Sequence, residues 1–431
     1  MDLTAVFGVS NAVVKSYVER PKVDNKIKMA IKSDRQIVVY GASKQGKSAL
    51  VSKYVNYDSN VVVRLAPNSE IADIYHSILR QAGILLKTSY TEGTGSSMKS
   101  EVKAKIKTAI AFFGSGEIEG SGGIASSRDS KTNFQEVPFN LELAQDIGEL
   151  LRRVKFKKYI ILENFHYLTE DNQKKISYDL RTYQEIGIRF ILLGVWREKD
   201  RMTQYNGDLL DRIEEIAVEP WGEDDFKKIA ISGADFLNIT FSNELIEKSI
   251  EASFGSVGVF QELLKEICCE AGIIDDSSGP VTIDNLLFLT KAIKTKTDAY
   301  TGRHQKALES LASGLGPTTL SLPYYLVKVL LSNGFEYING GISREDLEQK
   351  IKEIHFTKDE IKTSNITAFL NSISELQYKK DINPPILGYD NNIRLLQIVD
   401  STFNFFMKNA NLKLIMKEIT SQQPTNLNLQ K

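Results

Sequence analysis

Eight consecutive residues near the N-terminus, Gly41-Ala42-Ser43-Lys44-Gln45-Gly46-Lys47-Ser48, have the spacing G-x-x-x-x-G-K-[ST]. They follow the apolar run 36–40, and the residues after them, 47–57, are predicted to be helical. The glycines let the backbone turn its N–H groups toward phosphate oxygens, while the lysine reaches the terminal phosphates and the serine hydroxyl reaches Mg²⁺. The run therefore predicts a site for a nucleoside triphosphate and Mg²⁺, with contacts from Gly41, Ser43, Lys44, Gln45, Gly46, Lys47, Ser48 and Ala49.

A second pair of candidate functional residues, Glu163-Asn164, ends a predicted strand directly after the apolar stretch 159–162. An acid at such a strand end orders the Mg²⁺ shell, and the next acid commonly activates the attacking water. Glu163 supplies the first carboxylate, whereas the amide of Asn164 orients a water but accepts no proton. Either Glu163 serves as base, with the metal held by Ser48 and waters, or His166 polarises the water, or His166 is a structural hydrogen-bonding residue. Each reading predicts slow hydrolysis.

The elements that position these residues form a regular alternation. Short apolar runs at 36–40, 60–66, 159–162, 188–195 and 213–219 alternate with amphipathic helical stretches. Continuous apolar strands predict a parallel sheet with helices on both faces, so the fold class is α/β with a P-loop. We expect this nucleotide-binding domain over 1–221, a purely helical lid over 222–312, a winged-helix-like domain over 313–410 and a polar tail over 411–431.

Composition limits the function classes. The 431 residues carry a net charge of −1, so no overall field favours nucleic acid or an anionic membrane. The sequence has no apolar run long enough to span a bilayer and no signal-peptide pattern. The adjacent Cys268 and Cys269 suit core positions, and the four histidines lack metal-ligand spacing. We therefore expect a cytoplasmic protein.

The segment 88–136 interrupts the alternation with Gly-, Ser- and Thr-rich sequence, and we predict that it is an insertion. Apolar and lysine residues alternate from Val102, which is typical of an amphipathic hairpin. Four readings stay open: an oligomerisation arm, a nucleic-acid contact, a membrane-active hairpin over 100–123, and a solvated loop. The nucleic-acid reading would use Lys99, Lys103, Lys105 and Lys107.

The order of elements, the lead-in Tyr17-Val18-Glu19-Arg20-Pro21, the two motifs and the helical stretch 223–298 resemble the AAA+ ATPases. The branch shared by origin-recognition-type initiators and STAND-type signalling ATPases is most similar, over about residues 10–300. The resemblance implies that Tyr17 and Arg20 flank the adenine of ATP. It also implies that Arg212 reaches the γ-phosphate of a neighbouring subunit, unless it is an ordinary arginine at a helix end.

Two further positions follow from the same resemblance. Arg197 is near the γ-phosphate sensor position, where the family usually has a small polar residue. The lid segment 255–261 is similar to the second sensor region but contains no arginine, which implies a weak response of the lid to the γ-phosphate.

These features predict a slow ATPase that couples ATP binding to homo-oligomerisation and to a partner protein. The resemblance suggests prokaryotic defence against invading genetic elements as a setting. The alternatives are a DNA-binding initiator or transposition-regulator ATPase, and a nucleotide-stabilised scaffold without meaningful hydrolysis. DNA contact would use the insertion or the winged helix, although basic and acidic residues are nearly balanced after residue 318.

Overall fold

The computed structural model describes residues 2–9, 13–88, 108–112, 135–136, 140, 142–275, 279–314 and 320–421. Five parallel strands form the central sheet: β1 (Gln36–Gly41), β2 (Val61–Arg64), and three later strands beyond an inserted segment. The helices that accompany the first part are α1 (Leu3–Val6), α2 (Pro21–Lys32), α3 (Lys47–Tyr54) and α4 (Ile71–Gln81).

The inserted segment adds strands outside the central sheet. Strands β3 (Ile84–Thr88), β4 (Thr108–Phe112) and β5 (Gln135–Glu136) form a separate antiparallel sheet in that order. The hairpin expected over 100–123 lies mostly outside the described residues, and β4 pairs with β3, which begins before the insertion, and with β5. The four lysines and the Gly- and Ser-rich stretches of the insertion lie outside the described residues.

The remaining elements of the first region are α5 (Ala144–Arg153), β6 (Tyr159–Glu163), α6 (Glu170–Glu185), β7 (Arg189–Val195), α7 (Arg201–Tyr205) and β8 (Ile213–Ala217). The sheet order is β2-β6-β7-β1-β8, and every neighbouring pair is parallel. Hydrophobic clusters cover both faces of this sheet. The predicted α/β fold with a parallel sheet buried between helices is therefore confirmed. Because the strands are parallel, their carboxyl ends meet at one edge, which positions the candidate site.

The region after the sheet contains α8 (Glu223–Leu237), β9 (Ile239–Phe241), α9 (Asn243–Ser253), α10 (Val257–Glu270), β10 (Val281–Ile283) and α11 (Leu286–Ala312). The expectation of a purely helical region was wrong in one detail, because β9 and β10 pair in parallel. Three-residue strands are too short to show a period of two in sequence. We refer to α8–α11 as the lid helices.

Helix α11 is also longer than the predicted 282–298 helix. No proline interrupts residues 286–312, so the helix continues for 27 residues. Its first half packs with the lid helices through Leu289 and Ala292. Its second half packs into a separate C-terminal core through Leu308 and Leu311. Helix α11 thus connects the lid helices with the C-terminal core.

The C-terminal region, which we define as residues 320–421, has its own core. It contains α12 (Leu322–Asn333), α13 (Phe335–Ile338), β11 (Ile342–Ser343), α14 (Arg344–Ile354), α15 (Thr363–Asn371), α16 (Ile373–Lys379), β12 (Leu387–Asp390), β13 (Leu395–Ile398), α17 (Ser401–Asn409) and α18 (Leu412–Ser421). The three strands form an antiparallel sheet in the order β11-β13-β12.

The expectation of a polar tail over 411–431 was wrong for residues 412–421, which form helix α18. Ile415 and Ile419 are buried in the C-terminal core, and Leu412 and Met416 pack beside them. Their spacing of three and four residues is an amphipathic helical pattern that the polar neighbours obscured in the sequence. Within the described ranges, none of the helices combines the length and apolarity needed to cross a bilayer.

Candidate functional site

A cavity of about 370 Å³ lies at the carboxyl edge of the central sheet. It is lined by the N-terminal segment, the loop between β1 and α3, the turn after β6, the end of β7, Trp221, the lid helices and Pro384 of the C-terminal region. Its wall includes Gly8, Ser16, Tyr17, Val18, Arg20, Ser43, Lys44, Gln45, Gly46, Lys47, Ser48, Ala49, Asn164, His166, Tyr167, Trp221, Ile229, Gly258, Gln261 and Pro384. Most of the residues predicted as nucleotide contacts therefore share one cavity.

The loop between β1 and α3 has the backbone shape of an anion site. Lys44 and Gly46 have left-handed φ values of 57° and 82°, and Gly46 is the N-terminal cap of α3. The free N–H groups at this helix start and the helix dipole favour a bound anion. The Lys47 ammonium donates to the carbonyls of Gly41 at 3.0 Å and Ala42 at 2.7 Å.

The environment of the Lys47 ammonium favours binding of an anion. Burial lowers the pKa of Lys47 to about 8, although the carboxylates of Glu219 and Asp400 act in the opposite direction. An anion in the cavity would restore the stabilisation that the ammonium loses on leaving water. Lys47 thus fits the phosphate-binding role that the motif assigns to it.

Several buried polar atoms at the cavity wall have no hydrogen-bond partner among the described residues. They are Gln45 Oε1, Trp221 Nε1 and both ring nitrogens of His166. Unpartnered buried polar atoms are uncommon because each loses its hydrogen bonds to water. Their concentration around one cavity indicates a ligand that carries both donors and acceptors.

One part of the cavity wall combines an aromatic surface with a fixed cation. The guanidinium carbon of Arg20 lies 3.5 Å from the centroid of the Trp221 ring, and Arg20 Nη1 donates to the carbonyl of Val218 at 2.6 Å. The Tyr17 hydroxyl donates to Asp24 at 3.0 Å. Tyr17 and Arg20 therefore both line the cavity, where Val18 and Ile229 add apolar surface suited to a planar ring.

The two residues at the end of β6 have different surroundings. Glu163 accepts a hydrogen bond from the Tyr57 hydroxyl at 3.0 Å and lies 3.3 Å from Arg64 Nε, and it is not part of the cavity wall as described. Asn164 lines the cavity with a left-handed φ of 60°, and its amide nitrogen donates to the carbonyl of Leu65 at 3.4 Å. The metal role of Glu163 stays a prediction.

The donor set at the cavity suits a metal held mainly by its nucleotide. The exposed Ser48, in the first turn of α3, brings a hydroxyl to the wall. No cluster of three or more His, Cys, Asp or Glu side chains suited to a metal occurs in the described ranges. Mg²⁺ keeps waters and phosphate oxygens in its shell, so one hydroxyl and at most one carboxylate suffice.

Two further arginines lie away from this cavity. Arg212 immediately precedes β8, at the edge of the sheet opposite the cavity, where it donates to Gln184 at 2.8 Å and lies 3.5 Å from Glu185. Arg197 forms an ion pair with Glu219 at 3.1 Å. Glu219 in turn accepts the N–H of Ala42 at 3.0 Å, so Arg197 contacts the loop only through that carboxylate.

A contact that the sequence did not predict ties the loop to the C-terminal region. The Ser43 N–H donates to the carbonyl of Val399 at 2.9 Å, and Ser43 Oγ donates to Asp400 at 2.8 Å. Ser401 Oγ donates to the carbonyl of Ser43 at 2.7 Å, and the Ser401 N–H donates to Ser43 Oγ at 3.0 Å. We call this set of four hydrogen bonds the P-loop clamp.

The carboxylate in the clamp is almost completely buried. Asp400 is 1% exposed, and its partners include Arg303 at 2.5 Å and the Thr402 hydroxyl at 2.9 Å. Burial alone would raise the pKa of Asp400, but Arg303 and His304 lower it below its ordinary value. Asp400 is therefore a charged group beside the loop, compensated mainly by Arg303 from α11.

Other contacts surround the same loop. The Gly258 N–H of α10 donates to the carbonyl of Lys44 at 2.9 Å, and a Cβ at Gly258 would lie only 2.7 Å from that oxygen. Farther away, the Tyr378 hydroxyl of α16 bonds Asn68 at 2.7 Å. The lid helices thus touch the loop after β1 through Gly258. The C-terminal region touches that loop through the P-loop clamp, and it touches the segment between β2 and α4 through Asn68.

Comparisons with known proteins give likenesses in structure. No family model and no curated protein matches the sequence. The Walker-type ATPase paby2304 of Pyrococcus abyssi is similar with a TM-score of 0.48 and 12% identity, over 93% of this chain and 96% of that one. Cdc6p from Pyrobaculum aerophilum is similar with a TM-score of 0.41 and 13% identity, over 97% and 98%. The Aeropyrum pernix Orc1 protein, solved in complex with DNA, has a TM-score of 0.40 and 11% identity, over 96% and 95%.

The position of the two tryptophans gives a direct test of where nucleotide binds. Trp221 lines the cavity with a free indole N–H, whereas Trp196 is buried and absent from the described cavity wall. Addition of ATP and Mg²⁺ should change the intrinsic fluorescence, and Trp221→Phe should remove most of that change. Trp196→Phe is the matched control and should keep it. A response that survives Trp221→Phe in full would place the nucleotide elsewhere.

Proposed function

We propose that this protein is an ATP-binding switch ATPase in which the nucleotide controls the position of the C-terminal region. The observation that carries the proposal is the P-loop clamp, because it joins Ser43 of the nucleotide motif to residues 399–401. A change in the conformation of the loop would then alter the hydrogen bonds to a region more than 350 residues away in sequence. The contact supports coupling between nucleotide and region without a long chain of intermediates.

The cavity supports ATP as the ligand. Lys47 and the N-terminus of α3 would hold the phosphates, and Tyr17, Arg20 and Trp221 would enclose the base. Ser48 would contact Mg²⁺, with Glu163 as a second ligand acting directly or through water. When bound, Mg²⁺ neutralises charge on the phosphate oxygens.

Charge gives the direction of the switch. The Asp400 carboxylate interacts electrostatically with the Lys47 ammonium. It would therefore also interact with phosphates bound to Lys47. Asp400 and bound phosphates are like charges and repel, although Arg303 beside Asp400 reduces the repulsion. ATP carries more charge toward this end of the cavity than ADP does. We therefore infer that ATP weakens the P-loop clamp more than ADP and releases the C-terminal region.

Slow hydrolysis suits such a switch. Asn164, at the position that usually has an acid, lacks the carboxylate that would accept the water's proton. A nucleotide that is hydrolysed slowly would keep the released state for longer. Slow turnover is part of the proposal and follows from the residue type at Asn164.

The output that we propose is assembly. Arg212 lies at the sheet edge opposite the cavity, and from there it is placed to reach a neighbouring subunit. Its own partners, Gln184 and Glu185, are exchangeable surface groups. We propose that subunits stack with Arg212 of one beside the nucleotide of the next. A role in defence rests on the sequence resemblance alone.

For the C-terminal region we propose a winged-helix-like unit that contacts protein. The winged-helix-like assignment is supported by the order of its elements, which is α12, β11, α14, α15 with α16, and the β12–β13 hairpin. Helix α14 pairs its lysines internally, with Lys352 on Glu348 at 2.6 Å and Lys350 on Glu353 at 2.9 Å. Lysines neutralised in this way are poorly suited to tracking phosphates of DNA. We also propose the division at 221 and 312, with the end of α11 shared between the lid helices and the C-terminal region.

Light scattering tests the assembly. The mass of the wild type should rise when ATP and Mg²⁺ are added, whereas Lys47→Ala should stay at its starting mass because its phosphate contact is lost. Arg212→Ala should reduce the rise, and Arg80→Ala, an exposed arginine on α4, is the matched control. Equal masses with and without ATP would contradict the proposal. Assembly only after addition of duplex DNA at low salt would favour the initiator alternative instead.

Asp400→Asn tests the direction of the coupling. Asparagine keeps the N-terminal cap of α17 and removes the negative charge. Removing this repulsion should tighten ATP binding roughly threefold to tenfold, and ADP binding less. Titration calorimetry measures both affinities. Asp390→Asn, which removes a carboxylate from β12 instead, should leave them unchanged. Weaker ATP binding by Asp400→Asn would mean that the carboxylate supports the nucleotide.

A further inference from the structure

His166 lies directly beyond the strand that ends at Glu163. The left-handed Asn164 turns the chain into a short 3-10 helix over Phe165–Tyr167, and this turn carries the imidazole to the cavity wall. The ring packs against Tyr167 with a centroid distance of 4.3 Å. Both of its nitrogens are buried, and neither has a partner among the described residues. An imidazole thus lines the cavity, and neither of its nitrogens forms a hydrogen bond to a described residue.

Three side chains near this strand end are candidates to contact a water beside the γ-phosphate. The other contacts of each side chain show which candidate is best suited to that role. Glu163 is occupied by Tyr57 and Arg64 and is not part of the described cavity wall. Asn164 reaches the cavity, but an amide accepts no proton. Of the three, His166 combines a position at the wall with unused nitrogen atoms.

The ring also borders a second cavity. This cavity of about 380 Å³ lies between α6, α7 and the C-terminal region, and His166 and Val195 line both cavities. Polar side chains, including Gln173, Glu198 and Arg201, line the second cavity. His166 thus lines both a cavity with many polar side chains and the cavity proposed for ATP.

The ring is a hydrogen-bond acceptor in this environment. Burial, followed by the positive charges of Lys47 on α3 and Arg201 on α7, lowers the pKa of His166 to about 3. The imidazole is therefore neutral at physiological pH, with one nitrogen free to accept a proton from a hydrogen-bonded water. Bound phosphates would offset the charge of Lys47 and favour proton acceptance by the ring.

We propose that His166 is a catalytic residue that orients the attacking water and accepts its proton, in place of the acid missing at Asn164. The inference rests on the ATPase function proposed above. The water oxygen forms a bond to the γ-phosphorus while the bond from that phosphorus to the bridging oxygen breaks. The electron pair of the broken bond leaves with ADP. The imidazole accepts the water's proton and passes it to the phosphate product.

Single-turnover hydrolysis of labelled ATP by excess protein tests this role, with ATP affinity measured separately. His166→Phe keeps a ring and removes both nitrogens, so hydrolysis should slow by roughly 10- to 100-fold while the affinity changes less than about threefold. His166→Gln keeps a hydrogen-bond acceptor for the water and should recover part of the lost rate. A merely structural histidine would not give this order. His76→Phe, which changes a histidine on α4 that is not part of the described cavity wall, is the matched control and should behave as wild type.

The outcomes separate this inference from the proposed switch. Equal rates for wild type and His166→Phe would overturn the role of His166 and leave the ATPase standing. Loss of ATP affinity by more than tenfold at an unchanged rate would also overturn it, because the ring would then bind nucleotide. A wild type that binds ATP but hydrolyses it no faster than Lys47→Ala would overturn it as well, with the nucleotide-dependent clamp still open to test.

Discussion

The hydrogen bonds between Ser43 and residues 399–401 are the interaction on which the arrangement of this molecule depends. They occupy the N–H, the hydroxyl and the carbonyl of one residue in the nucleotide motif. A buried loop residue with every polar group committed to a distant segment has little freedom to move alone. The position of the loop and that of the C-terminal region are therefore linked, and a ligand that alters one alters the other.

Two helices transmit the consequences of this contact. Helix α17 begins at the clamp, and its Phe405 packs with the lid helices while Phe403 and Phe406 pack in the C-terminal core. Helix α11 places Arg303 beside Asp400 and continues into the same core. The clamp, the lid helices and the C-terminal region consequently share side chains. Separating the partly exposed Arg303 from the buried Asp400 is costly, because the carboxylate would lose its compensation unless it also reached water.

Sequence predicted the parts of the molecule that are local in the chain. The five apolar strands and the phosphate loop follow from periodicity and from one motif, because each is encoded within a few consecutive residues. Tyr17 and Arg20 could be assigned to the cavity only through a family resemblance. The partners of Glu163, namely Tyr57 and Arg64, come from other strands and loops and leave no mark near Glu163 itself.

The clamp lay beyond sequence prediction for the same reason. Asp400 and Ser401 form a short polar run after a strand, which locally indicates only a helix start, and their partner Ser43 is more than 350 residues away. The burial of α18 was also missed, since it depends on packing against helices remote in the chain. Pairing across such distances is decided by the folded core rather than by local pattern.

The central claim, that ATP opens the clamp, is tested most directly by hydrogen–deuterium exchange measured with mass spectrometry. Peptides covering 44–50 report on the phosphate loop, and peptides covering 399–407 report on the start of α17, where the Ser401 N–H bonds Ser43. If ATP opens the clamp, a non-hydrolysable ATP analogue should slow exchange in the first set and speed it in the second, with a smaller effect from ADP and none in Lys47→Ala. Slower exchange in both sets would mean that ATP holds the clamp closed.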